Sequence, residues 1–135
     1  MTKYLGLDIG TVRVGVSITD PSGSIAFPLS TFPVDVAIDE IVKIIEREAI
    51  HQIVVGVPYK LSGKSGESVE LVDSFLSKLL IEKSEITVHR VDERFTTSLA
   101  EKQLRSMNRS ASKSRDFIDQ LAAVNILQTF LDSLR

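Results

Sequence analysis

Four carboxylates of this chain stand, at three places, where packing alone would not put them. Asp8 lies near the end of the apolar run Leu5-Gly6-Leu7-Asp8-Ile9-Gly10, Asp92 and Glu93 follow a second such run, and Asp119 interrupts a stretch holding Phe117, Ile118, Leu121, Val124, Ile126 and Leu127. Strands are poor in Asp, and burying a carboxylate costs on the order of several kcal/mol unless it meets a cation or hydrogen-bond donors. The structural alternatives are a turn-capping role for Asp8 and surface ion pairs of Asp92 or Glu93 with Arg90 or Arg94. Neighbouring strand residues face opposite ways, so only one of Asp92 and Glu93 can share a face with Asp8. A helix apolar almost all round is buried on most faces, and an Asp inside it calls for a specific counter-charge. Asp116, three residues before Asp119, reads first as an acid of the first helical turn, favoured there by the helix dipole, and second as a further ligand. Acids from a first strand, a later strand and a last helix, converging over one sheet, suit Mg2+ or Mn2+ held by oxygen. Two such ions can activate a water and stabilise the leaving oxygen in phosphodiester hydrolysis.

The elements that must position these acids follow from the hydrophobic period. Tyr4 to Ile9 reads as a strand, Val14 to Thr19 as a second that stops at the turn Asp20-Pro21-Ser22-Gly23, and Ile25 to Phe32 as a third. Pro28 confines the third to an edge or a bulge. The period then becomes helical from Val36 to Glu48, with Asp35 as the expected N-cap. Gln52 to Val57 is a β-branched run of the kind buried on both faces. Pro58 to Gly66 is a loop, Val69 to Leu79 a second helix, and Glu85 to Val91 a fifth strand. Ser98 and Glu101 resemble a capping box opening a helix to about Met107. Asn108 to Ser114 is a polar, mobile loop, and a last helix spans about Asp116 to Leu134. The order βββ-α-β-α-β-α predicts an α/β domain: a five-stranded mixed sheet, three antiparallel strands and then two reached by crossovers, with helices on both faces. The glycines at 6, 10 and 15 leave backbone open to a ligand.

At 135 residues the chain makes one domain, 1–135. It has no cysteine, which excludes disulfides, thiolate zinc sites and thiol nucleophiles. His51 and His89 have no second His or Cys near them in sequence, so zinc is not expected. No apolar run reaches the roughly 20 residues of a membrane span, and the first residues lack a signal-peptide layout, so a cytoplasmic protein without a membrane partner is expected. The net charge of −2 conceals an imbalance: residues 90–115 carry seven cations and three acids, a balance of +4, against −6 elsewhere. Arg90, Arg94, Lys102, Arg105, Arg109, Lys113 and Arg115 supply this charge. A basic loop beside a metal site would pair with phosphates, and Lys60 and Lys64 can reach the same cleft. An ordinary solvated helix face is the competing reading of these cations. No aromatic platform accompanies them, so backbone contact is expected rather than base stacking.

Four segments, in order and over nearly the whole chain, resemble the YqgF (RuvX) family: Leu5-Gly6-Leu7-Asp8-Ile9-Gly10-Thr11 with Arg13, Gly15 and Ser17; Val54-Val55-Gly56-Val57-Pro58; Asp92-Glu93-Arg94-Phe95-Thr96-Thr97; and Asp119 to Gln128. The resemblance implies an RNase H-like fold and a metal-dependent endonuclease acting on structured nucleic acid. The implied substrate is the precursor of 16S ribosomal RNA, with a Holliday junction in branched DNA as the alternative. It implies Asp8, Glu93 and Asp119 as catalytic, metal-holding acids, with Asp92 in the same motif. Arg13, Lys60, Lys64, Arg94, Arg105, Arg109, Lys113 and Arg115 are the expected nucleic-acid contacts, and either a monomer or a homodimer is compatible. The sequence departs from the family in two places. The Asn and Asp usual in the loop after the Gly-x-Pro strand end are missing from Tyr59 to Gly66, and Asp116 is an extra acid, as in the related resolvase RuvC, whose last helix carries two. The motif Asp8-Ile9-Gly10-Thr11 also resembles the first phosphate loop of sugar kinases and chaperone ATPases, but those enclose ATP between two such domains. A non-catalytic nucleic-acid-binding factor is the remaining alternative.

Overall fold

The computed structural model describes residues 2–58, 67–93 and 111–134. Five strands, β1 (Tyr4–Ile9), β2 (Arg13–Thr19), β3 (Ala26–Pro33), β4 (Gln52–Val57) and β5 (Thr87–Asp92), form one sheet in the order β3-β2-β1-β4-β5. β1 pairs with β2, and β2 with β3, in antiparallel fashion, whereas β4 runs parallel to β1 and β5 parallel to β4. The expected mixed sheet is therefore present. β1, which carries Asp8, is its central strand. β3 is an edge strand, and the register of its pairing shifts next to Pro28, where the ladder would otherwise need an N–H that proline lacks.

Alternation sorts the sheet into two unlike faces. Leu5, Leu7, Val14, Val16, Ile53, Val55 and Val57 point to one face, where α1 (Val34–Glu48) and α2 (Glu67–Glu82) add Ile41, Ile44, Ile45, Val72, Phe75 and Leu79 to form the main core. The other face is covered by α3 (Ala111–Ser133), which packs Ile126, Leu127 and Leu131 on Val54 and Ala26, with Tyr4, Val91 and Phe130 around them. Helices thus lie on both faces, with α1 and α2 opposite α3.

Three expectations are corrected. Asp35 is not the N-cap of α1: Pro33 is, and Asp35 falls in the first turn, where its charge suits the helix dipole. α3 begins at Ala111, so residues 111–114 extend the helix rather than forming a loop, and Asp116 lies beyond its first turn. α3 is also not buried all round: Ala123, Ile126, Leu127 and Leu131 face the sheet, while Phe117 is 46% exposed. The expected helix from Ser98 to about Met107 lies outside the described residues.

Small residues let α3 come close to the sheet. A Cβ added to Gly6 would lie 2.8 Å from Leu127 Cβ and 2.9 Å from the carbonyl oxygen of Ala123. Beside it, the buried Ser17 hydroxyl donates to that same carbonyl at 2.8 Å. At the far end, the Gln128 side-chain carbonyl accepts from Ala26 N at 3.0 Å, and its amide donates to Asp132 Oδ1 at 3.0 Å. Gly6 and Gly15 are therefore closed over by α3 rather than open to a ligand. Gly10 is held in a turn, donating to the Arg13 carbonyl at 2.9 Å.

The β2–β3 connection shows how a short polar loop is fixed. Asp20 Oδ1 accepts from the Ser24 and Ile25 amides, each at 2.9 Å, while Ser22 donates to its other oxygen and Gly23 supplies a φ of 74°. The Ser22 hydroxyl, then the Ile25 and Ser24 amides, hold the Asp20 carboxyl at about 2, against an ordinary 3.8. A carboxyl depressed in the folded state contributes stability above the ordinary value and loses it as pH falls toward the folded one. Asp20→Asn should therefore melt below the parent protein at neutral pH, and the gap should narrow between pH 4 and pH 2. Thermal melts across that window check it.

Candidate active site

Asp8 sits in a row of residues that crosses the sheet on the α3 face. In β2 its partner is Gly15, which in turn pairs with Thr31 of β3. On its other side, Gly56 follows Val55, the partner of Leu7, as Asp8 follows Leu7, and Gly56 pairs with Val91 of β5. Asp8 is thus flanked by glycine on both neighbouring strands. Directly opposed Cα atoms in an antiparallel pair are about 5 Å apart, so whatever lies over Gly15 lies beside Asp8.

Each glycine has an acid over it. A Cβ on Gly15 would lie 2.1 Å from the Asp119 carbonyl oxygen and 3.1 Å from Asp119 Cβ. One on Gly56 would lie 2.6 Å from Glu93 Oε1 and 2.8 Å from Glu93 Cγ. Glu93, just past β5, therefore leans back over β4 toward the centre of the sheet. The three acids expected to act together are brought to one face and one end of it, by a central strand, an outer strand and the helix.

The other two acids are not gathered with them. Asp92 pairs with Val57, whose side chain belongs to the α1/α2 core, and so points to the opposite face, as the alternation argument requires for one of the two. Arg90, on that same opposite face, pairs with Asp73 of α2 at 2.8 Å. Asp116 is exposed, and its carbonyl accepts from the Thr31 hydroxyl at 2.8 Å, which places it over β3, two strands out from Asp8.

The counter-charge expected for Asp119 is Arg13. Arg13 precedes Gly15 by two residues in β2, so it shares the α3 face, and its Nε donates to Asp119 Oδ2 at 2.8 Å. Both side chains are partly screened, 31% and 23% exposed. Arg13 was expected at the nucleic acid; the structure engages it with an acid of the site. Lys60, Lys64, Arg94, Arg105 and Arg109 lie outside the described residues. The backbone of Lys113 and Arg115 falls in α3.

His51 and His89 play no part in this group. His51 is exposed, and His89 shares a hydrogen bond of 2.7 Å with Gln52 and lies against the Phe130 ring at a centroid distance of 4.5 Å. Among the described residues, no three His, Cys, Asp or Glu side chains are gathered closely enough to hold a metal ion as they stand. In kind and in facing, the donors nonetheless fit a hard divalent cation: they are carboxylate oxygens on one face, and one of them already holds a cationic group.

The residues that composition did not reveal are the spacers. Gly15 and Gly56 carry no chemistry, yet they decide where Asp119 and Glu93 stand. A glycine inside the β-branched run Ile53-Val54-Val55-Gly56-Val57 was the available signal, since glycine in a strand interior marks a close approach.

A sheet ordered β3-β2-β1-β4-β5 with β2 antiparallel to the rest, an acid on its central strand and another on a helix crossing it, defines an RNase H-like fold. A solved structure of RuvC from Thermus thermophilus in complex with a Holliday junction substrate is similar, with a TM-score of 0.59 over 99% of this chain and 96% of that one; at 12% identity the likeness shows the fold. The family model described as "RuvX: Holliday junction resolvase" matches residues 2–133. A Sulfurihydrogenibium protein named "Putative pre-16S rRNA nuclease" is 41% identical, covering 99% of this chain and 92% of its own. Proteins of the same name from Frankia casuarinae and Fusobacterium nucleatum are 40% and 37% identical, covering 97% and 98% of this chain and 67% and 98% of their own. The chain belongs to the RuvX family.

The two flanking glycines should differ in what they cost when filled. At Gly15 the obstacle is helix backbone, so Gly15→Ala must lift α3, with a stability loss of about 2–3 kcal/mol. At Gly56 the nearest atoms are ends of the Ile126 and Glu93 side chains, 2.4 and 2.6 Å away. Gly56→Ala should cost about 1 kcal/mol or less while displacing the Glu93 carboxylate. Urea unfolding of both variants, beside nuclease assays, checks the contrast: activity lost at Gly56 without a matching loss of stability.

Proposed function

We propose that this protein is a divalent-metal-dependent endonuclease that hydrolyses phosphodiester bonds of structured RNA, with the precursor of 16S ribosomal RNA as substrate. The observation that carries this reading is Asp8 between Gly15 and Gly56, with Asp119 over one and Glu93 over the other. Three carboxylates directed at one face and one end of a sheet are the donor type that a hard divalent cation takes, and Arg13 already sets a positive charge against one of them. The relatives' printed name supports the RNA substrate, and the family description supports the phosphodiester chemistry.

Asp8, Glu93 and Asp119 are the residues that would hold Mg2+ or Mn2+. Such an ion, when bound, offers Lewis-acid stabilisation of a phosphoryl oxygen and lowers the pKa of a water. The chain's own contribution is to fix the carboxylates. Asp8 is set by the central strand, Asp119 by a helix that rests on glycine, and Glu93 by the end of β5. Lys60, Lys64, Arg94, Arg105, Arg109, Lys113 and Arg115 are proposed to contact the phosphate backbone, which fixes register without reading sequence. Among the described residues no helix is long and apolar enough to cross a membrane.

A four-way DNA junction is the second substrate to test, because the matching family is described as a Holliday junction resolvase. Asp8→Asn, Glu93→Gln and Asp119→Asn should each lower Mg2+- or Mn2+-dependent cleavage of ribosomal RNA precursor by on the order of 10²-fold or more, with circular dichroism unchanged. Faster cleavage of the junction than of the precursor would reassign the substrate. Full activity of Asp8→Asn would overturn the mechanism.

A further inference from the structure

We propose that Arg13 is a resident cation lock on the site. Without metal it occupies the Asp119 carboxylate; when a divalent ion takes that carboxylate, its guanidinium turns to a phosphate of the nucleic acid. The inference rests on the metal-dependent reading above and adds to it a residue that changes partners.

The pair has the properties such an exchange needs. Arg13 Nε meets Asp119 Oδ2 at 2.8 Å, on the face and at the end of the sheet where Asp8 and Glu93 are directed. The Arg13 backbone is fixed in the turn with Gly10 and by its pairing with Pro33, so its side chain can swing without moving the strand. Its side chain is 31% exposed, which leaves water a route to the guanidinium. A guanidinium has five donors and forks onto phosphate as readily as onto carboxylate. An ion pair with this exposure is weak enough to break. Asp119, by contrast, has its backbone and Cβ held by the helix directly over Gly15. A divalent ion on the same carboxylate would repel the guanidinium at contact distance, so metal and Arg13 compete.

Competition makes a prediction that a purely structural ion pair does not. In calorimetric titrations with Mn2+ and no nucleic acid, Arg13→Gln should bind the ion about five- to tenfold more tightly than the parent protein. Arg13→Lys, which keeps the charge, should bind near the parent value. The gain should vanish in the Asp119→Asn background, which isolates the pair from a general loss of positive charge. For a short structured RNA with Ca2+ added, the slope of log affinity against log salt should steepen by about one phosphate contact in the parent and not in Arg13→Gln.

Mn2+ affinity of a folded Arg13→Gln equal to or below that of the parent overturns the lock; if the parent still binds Mn2+ through Asp119, the nuclease reading stands. A gain that persists in the Asp119→Asn background also overturns it. Mn2+ binding absent from parent and variants alike overturns both readings. A gain at Arg13→Gln in a protein that cleaves neither RNA nor DNA supports the lock and removes the nuclease.

Discussion

The close seating of α3 on the sheet is the constraint from which the rest of the site follows. A helix crossing a sheet of ordinary side chains is held off by them, and an acid on it would reach the strands only through its own length. Here Gly6 and Gly15 remove the side chains beneath it, so that Asp119 meets the sheet through its backbone and first carbon. Close seating of this kind sacrifices apolar area that larger side chains would have buried, and three glycines on one face make that face the poorer half of the core. The sheet recovers the loss on its other side, where two helices close over a continuous aliphatic layer. Stability and chemistry are thus assigned to opposite faces of the same strands.

Polar contacts then fix what apolar packing leaves loose. The Ser17 hydroxyl on the Ala123 carbonyl, Thr31 on the Asp116 carbonyl and Gln128 on the start of β3 set the helix along its length. Each is directional, so together they resist sliding of α3, which a contact surface of glycine and alanine would not. A net hydrogen bond contributes only about 1 kcal/mol, yet a shift of 1 Å in a carboxylate is large for the chemistry proposed. Precision, more than stability, is what these contacts supply.

Most of the fold was legible because the sequence states its periods plainly. The β-branched run at Gln52–Val57, the turn at Asp20–Gly23 and the helical spacing from Val36 each follow from local chemistry, and all appear in place. Pro28 called for an edge or a bulge, and β3 has both. The acids drew notice for a different reason: Asp8, the pair Asp92-Glu93 and Asp119 contradict their surroundings, and it was the family resemblance that singled out Glu93 from its pair. What stayed hidden depends on distances between segments. Arg13 and Asp119 are 106 positions apart, and nothing local in either names the other. The glycines were read as openings for a ligand, although they are places where the protein fills the space itself. Exposure of α3 was misjudged because an apolar helix with a single sheet to cover still leaves one flank, including Phe117, to solvent.

The ion pair also changes how the formal charge is to be understood. Counted over the whole chain, the charge of −2 is near neutral, and counted by segment it divides into a basic stretch and an acidic remainder. Neither count registers that Arg13, in the acidic remainder, stands against the last acid of the site. A carboxylate cluster with no cation nearby would repel both itself and an approaching polyanion. One already paired repels less and holds its shape before any ion arrives. Placing that cation on a strand, two residues from the glycine that seats the helix, ties the charge compensation to the same close approach that positions the acid. The placing of Asp119 and its charge compensation therefore rest on one close approach of β2 and α3, while Glu93 is placed separately over Gly56.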